Sequence, residues 1–199
     1  MKKNILTTLL LGCMISLVTR AQEEQAMHPV LDQPAAVGIF TTFEQLKTNS
    51  PDSEYKLNID PAFNMERANL MERAKGVPVI TSSGEETGIR PTKMFAYCDG
   101  EDVYIAYGTA FYKIEDPGVY SVFTYVSGAS NGSYGSASTS SQDYILDMNS
   151  GKIYRLNNGI MKKLILSNYP DLLEKFNSDK MKSTMIRWYV TEANKKSKK

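Results

Sequence analysis

The stretch from Lys93 to Leu156 limits the fold more than any other part of the chain, because runs of aromatic and β-branched residues alternate there with turn signals. Lys93–Tyr97 and Val103–Tyr107 read as two strands joined across Asp99-Gly100, followed by Ala110–Ile114, the turn Asp116-Pro117-Gly118, and Val119–Val126. In the last run Val119, Phe123 and Tyr125 fall on one face and Tyr120, Val122 and Val126 on the other. Both faces are therefore partly apolar, and helices or a second sheet must cover them. Strands resume at Tyr144–Asp147 and Lys152–Leu156, around Asn149-Ser150-Gly151 with glycine where a hairpin needs positive φ. The intervening residues 127–141 (SGASNGSYGSASTSS) have almost no apolar content and read as a low-complexity loop.

Helical signals flank the meander. Thr42 and Gln45 have the spacing of a capping box, with Phe43 and Leu46 as the apolar edge of a short helix that ends at Asn49-Ser50-Pro51. Tyr55–Ile59 alternates as a strand, Asp60-Pro61 opens a loosely patterned helix closed by Gly76, and Val77–Thr81 offers another strand. After the meander come a helical run at Ile160–Leu166, a helix from Pro170 to Phe176, and Lys180–Ala193. The last carries Met181, Met185, Trp188 and Tyr189 at helical spacing, read as a core-facing stripe. The expected fold class is α+β: an antiparallel meander of about six strands, open to a barrel-like closure, packed with short N- and C-terminal helices.

The ends of the chain have other compositions. Lys2 and Lys3 precede an apolar run from Ile5 to Val18, and Ala21 supplies a small residue before Gln22, which predicts a signal peptide over 1–21. The run is too short for a bilayer span. Cys13 follows Leu10-Leu11-Gly12, the outline of a lipoprotein processing site, but the apolar run continues through Val18, which favours ordinary cleavage over acylation. Residues 22–37 read as a flexible polar leader, 38–194 as one domain, and 195–199 as a basic disordered tail. The expected location is the periplasm, the outer surface or the exterior.

Cleavage after Ala21 leaves 20 basic residues against 22 acidic, and four of the basic ones are lysines of the tail. An acidic core argues against nucleic-acid partners. Cys98 would then be the sole cysteine, and the sole histidine, His28, lies in the leader, where it is expected to be mobile. A Cys–His nucleophile pair would have to use that residue, so Cys98 is read as a small buried side chain at a strand end.

Asp99, Glu101 and Asp102 place three carboxylates within one turn beside Tyr104, the candidate binding residues of the chain; an Asp- and Gly-rich hairpin turn accounts for the carboxylates without a ligand and is the favoured reading. Asp147 and Asn149 begin like a calcium loop, but Gly151 comes one position early and Asn158 stands where glutamate is needed. The sequence contains no phosphate-binding glycine loop, histidine metal motif or Gly-x-Ser-x-Gly elbow, so no catalytic residue, metal site or cofactor is assigned. Twelve tyrosines leave room for a surface that stacks on sugars or peptides.

Gly38-Ile39-Phe40-Thr41-Thr42-Phe43-Glu44-Gln45-Leu46-Lys47-Thr48-Asn49-Ser50-Pro51 resembles the opening of a group of small exported proteins of unknown function abundant in Bacteroidota. Phe40 and Leu46 depart conservatively from the aromatics usual there. Cys98-Asp99-Gly100-Glu101-Asp102-Val103-Tyr104-Ile105 is similar to their Asp-Gly hairpin, and Leu146-Asp147 with Gly151-Lys152 to a second one. Pro170–Phe176, Tyr189-Val190 and Asn194 resemble their C-terminal helices. The resemblance implies export and a shared fold and carries no catalytic residue. The expected function is a non-enzymatic extracytoplasmic binding or envelope-associated module that contacts a protein or glycan of the envelope or exterior. The alternative is a small hydrolase using paired carboxylates on glycans or peptides.

Overall fold

A computed structural model describes residues 26–59, 76–129 and 138–198. The signal segment, Cys13 and the helix expected after Pro61 lie outside the described residues. Ten strands form three antiparallel sheets: β1 (Gly38–Phe40), β5 (Ala96–Cys98), β6 (Val103–Tyr107) and β7 (Ala110–Lys113) in the order β1-β5-β6-β7; β2 (Tyr55–Leu57), β3 (Val77–Thr81) and β4 (Glu86–Ile89) in the order β2-β3-β4; and β8 (Tyr120–Ala129), β9 (Ser138–Asp147) and β10 (Lys152–Arg155) in the order β10-β9-β8. The α+β class holds. The sheets stack instead of closing into a barrel.

Side-chain alternation explains the stacking. In the four-stranded sheet, Ile39, Tyr97, Tyr104 and Phe111 point one way and meet Val77, Val79 and Ile89 of the β2-β3-β4 sheet. The alternate residues Phe40, Ala96, Cys98, Val103 and Ile105 point the other way and meet Leu146, Met148 and Ile153 of the third sheet. That sheet turns Val122 and Ile145 toward the C-terminal helices, against Met161, Leu172, Phe176, Tyr189 and Val190. The described residues thus form four layers with three buried clusters between them, and each inner sheet has no solvent face over its central residues.

Local chemistry sets the element ends. Helix α1 (Phe43–Lys47) starts at the expected capping box: the Thr42 hydroxyl accepts from the Gln45 amide, and the Gln45 side chain accepts from the Thr42 amide at 3.1 Å. Gly151 adopts φ 71° in the β9–β10 turn, as the hairpin spacing predicts. After β10, Asn157 caps an irregular helical segment (Asn158–Ile160, then Met161–Ile165 and Leu166–Asn168), followed by α2 (Pro170–Ser178) and α3 (Ile186–Ser197).

Four expectations are corrected. The leader is docked from Ala26 onward: Ala26, His28 and Ala35 are buried, and Met27 bridges Pro34 in a small antiparallel strap. Residues 127–129 and 138–141 continue β8 and β9 as a ladder, because cross-strand backbone bonds need no apolar side chains. Helix α3 begins only at Ile186, so Met181 and Met185 stand in the preceding turns and are exposed, leaving Tyr189 buried in the core and Trp188 partly buried against it. The basic tail is helical through Ser197, with Lys195 paired to Glu192 and Lys196 to Asp171. Strand β4, in the polar stretch Glu86–Ile89, was not foreseen.

Candidate functional site

The acidic turn is held by its own backbone. Asp99 Oδ1 accepts from the Glu101 and Asp102 amides at 2.9 and 2.8 Å, an Asx turn that closes the β5–β6 hairpin. Asp102 pairs with Lys113 Nζ at 2.7 Å, and Glu101 is exposed. Tyr104 is 4% exposed and stacks on Tyr97 at 4.7 Å beneath the β2-β3-β4 sheet. The four candidates therefore do not share a surface. Among the described residues no group of three or more His, Cys, Asp or Glu side chains could hold a metal ion.

A different set of residues does converge. Tyr107 at the end of β6 and Tyr112 on β7 lean from the four-stranded sheet toward Phe123 and Tyr125 on β8 and Tyr144 on β9. Tyr107 lies 5.2 Å from Tyr144 and 5.8 Å from Tyr125, Tyr112 lies 5.4 Å from Tyr125, and Tyr125 lies 5.4 Å from Tyr144, all between ring centroids. Phe123 is fully buried beneath them, and the four tyrosines are half-buried. The register explains the assembly: Phe123 is opposite Tyr144, and Tyr125 is two residues on along the same face. Tilted and edge-on ring pairs of this kind contribute about 0.5–1.5 kcal/mol each beyond area burial. Burial, and next the neighbouring Tyr144, raise the Tyr107 phenol above its ordinary range, so Tyr107 keeps its hydroxyl proton at physiological pH.

Polar groups border the rings. Gln142 is opposite Tyr125 and Arg155 opposite Tyr144, and the two side chains hydrogen-bond to each other. Gln142 also lines an open groove of about 420 Å³ beyond the end of β10, with Asp143, Asn157, Asn158 and Ser183. Asp143, the one carboxylate among these lining residues, is taken by Arg187: Nε donates to Oδ2 at 2.7 Å and a terminal nitrogen to Oδ1. This contact holds the Asp143 carboxyl below the usual range, so it is poorly suited to deliver a proton.

The sequence profile of a family of unknown function, DUF6563, matches residues 38–197. The chain belongs to this family. No curated protein and no solved structure matches the chain. The family match runs from β1 to the last turn of α3 and so includes every residue of the tyrosine cluster, while the strap of residues 26–37 precedes it.

Cys98 is placed as its sequence suggests. It is fully buried at the end of β5, its Sγ 3.8 Å from the Ala35 carbonyl, and burial pushes its thiol up to about 11. His28 lies on the strap, and none of its hydrogen bonds is to Cys98. The tyrosine cluster was the set that sequence reasoning did not single out. The alternation of Phe123 and Tyr125 was visible, but the approach of β6–β7 to β8–β9 was not.

Proposed function

We propose that this family member is an extracytoplasmic binding module for glycans, and that the tyrosine cluster is its contact surface. The observation that carries the reading is the set of four half-buried tyrosines gathered from two sheets. Phenol rings offer flat apolar faces to the C–H faces of sugars, and a phenol hydroxyl can both donate and accept a hydrogen bond. Gln142 and Arg155 add amide and guanidinium groups at the rim, suited to sugar hydroxyls. Support for an extracytoplasmic location comes from the basic start, the apolar run and Ala21 of residues 1–21. No helix among the described residues is long and apolar enough to cross a membrane.

Affinity electrophoresis through gels containing envelope polysaccharides tests the proposal. The protein is expected to be retarded by at least one of them, and Tyr125→Ala or Tyr144→Ala to abolish the retardation while the protein remains folded by circular dichroism. Free migration in every polysaccharide overturns the reading, as does retardation that survives both substitutions.

A further inference from the structure

The strap of residues 26–37 is fastened at one side chain. The His28 imidazole is 3% exposed, and among the described residues its hydrogen bonds all run to backbone groups. Nε2 lies 2.7 Å from the Leu46 carbonyl of α1, which can only accept, so Nε2 carries a hydrogen. Nδ1 receives the amides of Leu31 at 2.9 Å and Val30 at 3.2 Å, so it must be a bare lone pair. The three contacts specify one tautomer of the neutral ring. Protonation would put a hydrogen on Nδ1 against two donors, leave both amides unpaired and bury a charge.

We infer that His28 is an acid-sensitive latch, which holds the strap across the β5–β6 end of the fold when neutral and lets it go when protonated. The rest of the strap is attached by contacts that do not titrate. Ala26 donates to the Gly100 carbonyl, Asn49 bonds the carbonyl of Pro34 and the amide of Ala36, and Ala35 covers Cys98. The charged residues on the elements that the strap contacts are Asp32 on the strap itself, Glu44 and Lys47 on α1, and Asp99, Glu101 and Asp102 in the turn bonded by Ala26. Among the described residues the ring's hydrogen bonds run to Leu46, Val30 and Leu31 and to none of these groups. Cys98 stays a neutral thiol throughout.

Burial draws the His28 imidazole below its ordinary value of about 6.5, only partly offset by the Leu46 carbonyl. A released imidazole therefore takes up a proton at a higher pH than a docked one. Docking is at full strength above about pH 6.5 and weakens as the pH falls, by at most tenfold per unit, until the docked ring itself protonates. Release would uncover Cys98 and the Ala26 and Ala35 contacts to the second buried cluster. The inference does not rest on the glycan reading, because the strap and the tyrosine cluster have no residue in common.

With one histidine in the chain, ¹⁵N imidazole shifts of the full chain report the latch without ambiguity. Expected are the Nε2–H tautomer at pH 7.5 and a midpoint below 6.5. Amide exchange at Ala26 and Ala35, corrected for intrinsic chemistry, should accelerate up to tenfold per pH unit below 6.5 while Ile105 stays protected. In His28→Gln the exchange of the strap should lose this dependence, whether the strap is held or free. An ordinary midpoint, the opposite tautomer, an unchanged pH dependence in the variant, or simultaneous loss of protection at Ile105 overturns the latch.

Discussion

Asn194 completes the backbone hydrogen bonding of Tyr120 with one side chain. Its Oδ1 accepts from the Tyr120 amide at 2.9 Å and its Nδ2 donates to the Tyr120 carbonyl at 3.0 Å, both buried. An amide on α3 thus acts as the neighbouring strand that β8 lacks at its first residue. Removing it by Asn194→Ala leaves a buried donor and a buried acceptor unpaired, an expected loss of about 2–4 kcal/mol in chemical denaturation.

Gly118 makes room for that amide. A Cβ there would lie 2.2 Å from Asn194 Nδ2, so Gly118→Ala should cost about 1–3 kcal/mol. The double variant should lose less than the sum of the two, because the methyl group enters space the asparagine has left. Strict additivity in a double-mutant cycle would show that the two residues do not share this space.

Arg187 ties α3 to the β8–β9 ladder through Asp143 and Thr124, and to the β7–β8 connection through Glu115 at 2.6 Å. Lysine cannot reproduce the forked contact to Asp143, so Arg187→Lys should lose about 1 kcal/mol, the partial exposure keeping the figure small. Asp143 titrates below the usual carboxylate value because of Arg187. Its stabilisation is therefore present above about pH 4 and lost as the pH falls through the lowered value. Acid titrations followed by fluorescence should show a weaker dependence on pH in this region for Arg187→Met than for the parent.

At the other end of the scale, the Tyr189 hydroxyl donates to Asp179 Oδ2 at 2.8 Å. Burial, with the carboxylate second, pushes its phenol up to about 12. The raised value favours the protonated folded state, so stability should fall as the pH rises from about 10 toward 12. Absorbance titration at phenolate wavelengths should contain one late component that is missing from Tyr189→Phe.

Cys98, with its thiol at about 11, should resist iodoacetamide in the native protein at pH 8 and react fully in guanidinium. Peptide mass mapping reads this position separately. Rapid native modification would contradict its burial.

Much of this structure could be read from local signals. Thr42 and Gln45 predicted a helix start, Gly151 a hairpin, and Val103–Tyr107 a strand that the structure reproduces to the residue. The features that escaped share one property, namely that their stability does not come from apolar periodicity. The strap is held by His28, Asn49 and backbone bonds, and its buried hydrophobic residues Ala26 and Ala35 are small. The ladder beyond Val126 is built from Ser, Thr, Gly and Ala. Strand β4 offers only Ile89 to the core. The tyrosine cluster failed for another reason: Tyr107 and Tyr125 belong to different sheets, and the packing of one sheet on another has no local signature in sequence. The acidic turn has the composition of a ligand site, but Asp99 is spent on closing the turn itself.

The layered arrangement makes proximity in the chain a poor guide to mutational coupling. Tyr97 and Cys98 are adjacent, yet one packs with Val79 and the other with Leu146. Defects at such neighbours propagate into opposite halves of the molecule, while Tyr97 and Val79, far apart along the chain, share a single repacking response. Evolutionary exchange in this family would then be constrained by interleaved residue sets: β5 and β6 each carry two independent alphabets, read at alternate positions, and an insertion of one residue would exchange them.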